Sequence, residues 1–181
     1  AWDLGDCGVA ATRKAAEASG FTFSGTGSDI SKATSPAYLT IDDFTIALVA
    51  ATTSHDGRSA IGHAVNGVWL GWQEDWDRNL AAVRTAAQNA DFVLYYHHFQ
   101  LDLDEFDETV KGDTTRHEHI WVENVAQWQT DFARALLDAG ASIYVGNGYR
   151  AFGGVEVYNG KPLIRQIGGL AYQGLTPKLG H

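Results

Sequence analysis

Three times along this chain a helical stretch runs into a short apolar strand, and that recurrence decides what kind of sheet the chain can build. GVAATRKAAEASG precedes FTFSG, NLAAVRTAAQNA precedes DFVLYYHH, and DFARALLDAG precedes ASIYVG. Gly20 and Gly140 close the first and third helices, where the left-handed residue after a helix is cheapest without a Cβ. FVLYY and SIYV are short, unbroken and rich in aromatic and β-branched residues, the pattern of parallel strands buried on both faces. Repeated helix-then-strand steps predict a layered α/β fold.

Between these steps lie hairpin signals, so the sheet is expected to be mixed. VEVY and KPLIRQI flank Asn159-Gly160, a strong two-residue hairpin turn, and AYLTI and FTIALVAA flank the less favoured Asp42-Asp43. The later helices carry apolar stripes at spacings of three and four: Trp76, Leu80, Val83 and Ala87, then Trp121, Val125, Trp128, Phe132 and Leu136. Those aromatics, and Trp69 and Trp72 before them, read as packing. Two long polar loops are expected, Ser54 to Gly67 and Gln100 to His119.

A length of 181 residues suits a single domain over 1–181. The 22 acidic and 13 basic residues leave a net charge of −9, which argues against a nucleic-acid or anionic-membrane surface. No apolar run approaches the length of a transmembrane span, and no signal-peptide pattern opens the chain at Ala1. Cys7 is alone and forms no intrachain disulfide.

The chemistry-bearing residues gather near strand ends. His97 and His98 end FVLYYHH, and strand alternation sends their imidazoles to opposite faces, one toward a site and one into packing. Asn147 and Arg150 fall just past the carboxyl end of SIYV, where open α/β sheets collect ligands. The run LDLDEFDE places Asp102, Asp104, Glu105, Asp107 and Glu108 together, with solvated loop surface as its default reading. His117 and His119 would share a face on an extended loop and could hold zinc. GNGYRAFGG lacks the spacing of a dinucleotide fingerprint and leads into a strand, which excludes that reading.

Taken in order, these segments resemble the CapA/PgsA family of poly-γ-glutamate capsule synthesis, related to calcineurin-type metallophosphoesterases. AWDLGDCG resembles the segment after the Asn-His of the family's NNHxxDxG motif, with Asp3 at the aspartate. ADFVLYYHHFQLD resembles its AD-strand ending in HWGxE, with His98 on the histidine and Asp102 on the glutamate. ALLDAGASIYVGNGYRAFGGVEVYNGKPLI resembles the stretch containing GHHPHxxQGxExYxGxxI, and RQIGGL lies where the family has SLGNF. In GHHPH the first and last histidines are replaced here by Asn147 and Arg150, and the SLGNF asparagine by Gly169.

The resemblance implies a layered sandwich of the calcineurin-like type, with the amino-terminal part of the family domain upstream of Ala1. It implies action on an anionic polymer or ester, either poly-γ-glutamate or a phosphoester, by metal-assisted hydrolysis. On the resemblance His98 and Asp102 would be catalytic, whereas the guanidinium's chemistry and the strand-end turn, not the family pattern, would make Arg150, Tyr149 and Asn147 substrate-binding. His98, Asp3 and Asn147 would ligate a divalent Mn, Fe or Zn ion, and the setting would be extracytoplasmic or associated with the cell envelope. Arginine cannot ligate a cation, so the departures also leave open a non-catalytic binding or assembly subunit with a degenerate metal site.

Overall fold

The computed structural model describes residues 5–54, 65–68, 72–100, 114–148 and 152–168, with backbone alone at 54, 100 and 114–126. Helix α1 (Gly5–Ala18) and the short α2 (Ile30–Thr34) precede a hairpin of β1 (Ala37–Ile41) and β2 (Phe44–Ser54). Then come α3 (Gln73–Asn89), β3 (Phe92–Gln100), α4 (Thr114–Ala139), β4 (Ile143–Asn147), β5 (Val155–Tyr158) and β6 (Lys161–Ile164). The six strands form one sheet in the order β1-β2-β3-β4-β6-β5. Its centre, β2-β3-β4-β6, is parallel, and the hairpins add an antiparallel strand at each edge. The expected mixed sheet with flanking helices is the fold observed.

Local chemistry accounts for the register. Asp91, just before β3, accepts from the Thr45 N–H at 2.8 Å and donates its own N–H to Thr45 O at 2.9 Å, which clasps β3 to β2. The Ser142 hydroxyl accepts from Val93 N–H and the Ser142 N–H donates to Val93 O, which does the same for β4. At the far edge Asn159 (φ 50°) and Gly160 (φ 78°) both take the left-handed conformation, the requirement of the tight primed turn expected there.

Alternation divides the sheet. Ala47, Val49 and Ala51 of β2, Val93 and Tyr95 of β3, Tyr144 of β4 and Leu163 of β6 are buried against Val83 and Ala86 of α3 and Phe132, Leu136 and Leu137 of α4. Trp76 and Trp128 pack edge-on at 5.9 Å over this core, as the helical stripes predict. Trp72 departs from its packing assignment: it caps α3 from outside and is exposed. The opposite face carries Ile46, Leu48, Leu94, Tyr96, His98, Ile143, Val145 and Asn147, all half-buried.

Two sequence expectations change. FTFSG is not a strand; Phe21 is exposed, and Gly25 (φ 94°) passes so close to Ala50 that an added Cβ would lie 3.2 Å from it. That segment's β-type contact is a single bridge, Thr26 to Val65. Helix α4 begins at Thr114, so His117 and His119 lie on helical backbone rather than in a loop. Positions two apart on a helix do not share a face, which removes the geometric basis for a zinc pair there.

Candidate functional site

The parallel strands β2, β3, β4 and β6 all end at one edge, and their register places three polar positions in a row there. Thr52 of β2 is opposite His98 of β3, and His98 is opposite Asn147 of β4. Adjacent strands lie about 4.8 Å apart, so the row is roughly 10 Å long. It lies on the face away from α3 and α4. His98 and Asn147, both expected at strand ends, are thus neighbours at this edge.

Asn147 is oriented by its neighbours. Its amide nitrogen donates to the Tyr96 hydroxyl on the same face, and its amide oxygen accepts from Gly148 N–H at 2.6 Å. Among the described residues, each amide atom retains one further hydrogen-bonding position. Thr52 was not singled out by the sequence. It stands sixth from the end of a nearly continuous apolar run, FTIALVAATTSHDG, and only non-local register shows which of two adjacent threonines faces the histidine.

The other face of the same edge is locked by His97, which is fully buried. The Thr53 hydroxyl donates its one proton to Val68 O at 2.5 Å, so at 2.9 Å His97 Nε2 must donate to it. His97 Nδ1 then accepts from the Tyr144 hydroxyl at 2.6 Å. Gln129 of α4 donates to that hydroxyl at 3.2 Å and to Arg165 O at 2.9 Å. The chain of bonds thus ties the 65–68 segment, β2, β3, β4, α4 and the end of β6 to a single neutral tautomer. Burial, then the neighbouring His98 charge, pushes the His97 pKa down to about 3. Burial likewise holds the Tyr144 phenol well above its ordinary value.

A second buried network positions the 65–68 segment beside β2. Asn66 donates its side-chain amide to Ala50 O at 2.9 Å and to Asn79 Oδ1 at 2.8 Å, and its backbone N–H to Gly25 O at 2.8 Å. Asn79 Oδ1 also accepts from the Tyr95 hydroxyl at 2.9 Å, and Arg78 donates to Gly67 O at 2.7 Å. On the far side, Gly146 lets β4 approach the chain after β6: an added Cβ would lie 1.8 Å from Arg165 O. These bonds tie β2, β3, α3 and the 65–68 segment together on the helix-facing side of the edge.

Arg165, at this edge, is committed elsewhere, with its guanidinium 3.6 Å from Glu156, which also takes two bonds from Arg134. Asp3, Asp102, Tyr149, Arg150 and Gly169 lie outside the described residues. Among the described residues no three His, Cys, Asp or Glu side chains come together to hold a metal ion. Nor, among them, is any helix long and apolar enough to cross a membrane.

Comparison with known proteins adds lineage to this geometry. Residues 1–171 match the family described as bacterial capsule synthesis protein PGA_cap. The chain is 28% identical over 142 residues to the uncharacterized protein y4sH of Sinorhizobium fredii (strain NBRC 101917 / NGR234). It is equally similar to y4uA of the same organism, again 28% over 142 residues. Each match covers 77% of this chain and 26% of the relative, so the chain spans about a quarter of the length of these relatives.

Proposed function

We propose that this chain, which belongs to the bacterial capsule synthesis protein family PGA_cap, binds an anionic polymer or ester at the carboxyl edge of its parallel strands and hydrolyses it there. The observation that supports this most directly is the register pairing of His98 with Asn147 on one face of that edge. Strand ends of parallel sheets are where α/β proteins gather ligand groups. Histidine is also the side chain whose proton affinity suits acid–base work near neutral pH.

In this reading His98 takes the proton from an attacking water and Asp102 orients it. Asn147 donates its remaining amide proton to a substrate oxygen. Arg150, with Tyr149 beside it, clamps the anion through two parallel hydrogen bonds, which a guanidinium is shaped to make. With 22 acidic against 13 basic residues, a polyanion needs such a locally positive contact to overcome the overall repulsion. In the metal-bound form of this reading His98 and Asn147 would instead serve as ligands, through an imidazole nitrogen and an amide oxygen, to a divalent Mn, Fe or Zn ion, with Asp3 as a third. Such an ion would polarise an ester oxygen and make a bound water more acidic. The working place of a capsule-family protein would be the cell envelope.

Titration calorimetry with a γ-linked glutamate oligomer tests the reading. Arg150→Ala is expected to weaken binding by roughly 1.5–3 kcal/mol, the range for hydrogen bonds to charged groups. His98→Ala is expected to abolish turnover. Unchanged binding in Arg150→Ala would remove the anion clamp from the account. Binding without turnover in the wild-type protein, with no bound metal by elemental analysis, would make the chain a binding subunit instead.

A further inference from the structure

Thr52 and Thr53 are neighbours on β2 with opposite fates. The Thr53 hydroxyl is used twice, by Val68 O and by His97. The Thr52 hydroxyl is buried and has no hydrogen-bond partner among the described residues, although the residue is only 6% exposed. Its backbone is fully committed: Thr52 N–H donates to Asn66 O at 3.0 Å, and Thr52 O accepts from Val68 N–H at 2.9 Å. These bonds fix the Thr52 main chain within the edge, so the hydroxyl is carried by an immobile strand position. A buried hydroxyl left unpaired destabilises a fold, and a group that bonds to it from outside the fold removes that cost.

Thr52 also sits in the row formed with His98 and Asn147. We propose that the Thr52 hydroxyl is a third ligand-binding group of this edge, donating its proton to an oxygen of a bound carboxylate or phosphate. This rests on the reading of the edge as an anion site. Hydroxyl, imidazole and amide then stand in line across three strands, so that a single oxyanion at the Thr52 end would meet the hydroxyl and the imidazole, and a longer anion such as glutarate would reach the amide as well. The two sources of that chemistry, a carboxylate and a phosphate, differ in charge and in number of oxygens, and each has its own probe.

The test compares wild type, Thr52→Val, Thr52→Ser, His98→Ala and Asn147→Ala. Each is titrated by calorimetry with inorganic phosphate and separately with glutarate, and each is melted without ligand. Thr52→Val is expected to weaken binding of one or both probes about ten-fold or more. Its melting temperature should hold or rise, because valine fills the same space without an unpaired group. Thr52→Ser is expected to restore binding. The probe more affected identifies the anion class. Wild-type binding in Thr52→Val, with binding lost in His98→Ala, would overturn the Thr52 assignment and leave the site standing. A lower melting temperature together with lost binding would make the hydroxyl a structural group and also overturn it. If wild type binds neither probe, the anion site falls and Thr52 falls with it.

Discussion

Acidifying the protein should cost stability through His97, and the amount can be worked out from its environment. The imidazole is fully buried, and its pKa is pushed down from 6.5 to about 3, mainly by burial. In the unfolded chain it takes up a proton below pH 6.5, whereas in the fold it stays neutral. The folded pKa is the lower one, so the contribution is complete above 6.5 and is lost as pH falls toward 3. Each pH unit in that window costs about 1.4 kcal/mol. Between pH 7 and pH 5 the loss is about 2 kcal/mol, and at pH 4 about 3 kcal/mol, a large share of an ordinary domain's stability. Denaturant titrations at the three pH values measure this in wild type and in His97→Gln, whose side chain does not titrate. The difference between the two pH profiles isolates His97. Nitrogen NMR of the imidazole should show the proton on Nε2 throughout. Parallel profiles, or an imidazole that titrates near 6.5, would refute the buried neutral tautomer.

Two further substitutions probe the scaffold that holds the edge. Gly146→Ala must push β4 away from Arg165, whose carbonyl would lie 1.8 Å from the new Cβ, and should cost about 3 kcal/mol in a denaturant titration; a loss under about 0.5 kcal/mol would mean the close approach is not rigid. Asn79→Leu leaves both Asn66 and the Tyr95 hydroxyl without their shared acceptor and should cost about 2–4 kcal/mol, less in a Tyr95→Phe background; equal costs in the two backgrounds would show that Tyr95 and Asn79 are uncoupled.

Local chemistry was the part of the fold legible in the sequence. The Asn159-Gly160 hairpin arises from two residues that tolerate left-handed backbone, and both adopt it. The split of His97 and His98 to opposite faces comes from the two-residue period of a strand. FTFSG misled because its aromatic pattern suits a strand, while Gly20 and Gly25 take left-handed conformations that turn it past β2 instead. The early start of α4 was hidden because Arg116, His117, Glu118 and His119 carry no apolar stripe. Thr52 was hidden for a different reason: its face and its alignment with His98 depend on pairing between strands some forty residues apart. The acidic run from Asp102 and the turn residues Tyr149 and Arg150 lie outside the described residues, so their part in the site stands on the family resemblance.

The central claim is that Thr52, His98 and Asn147 form one anion-binding row on the face away from α3 and α4. A proton–nitrogen NMR titration of labelled protein with inorganic phosphate, repeated with glutarate, tests it at residue level. The account predicts saturable shifts centred on those three residues and on Tyr96, with the Nδ1 and Nε2 signals of His97 unmoved on the opposite face. Shifts centred instead on Arg134, Glu156 and Arg165, or no saturable shift at all, would contradict it.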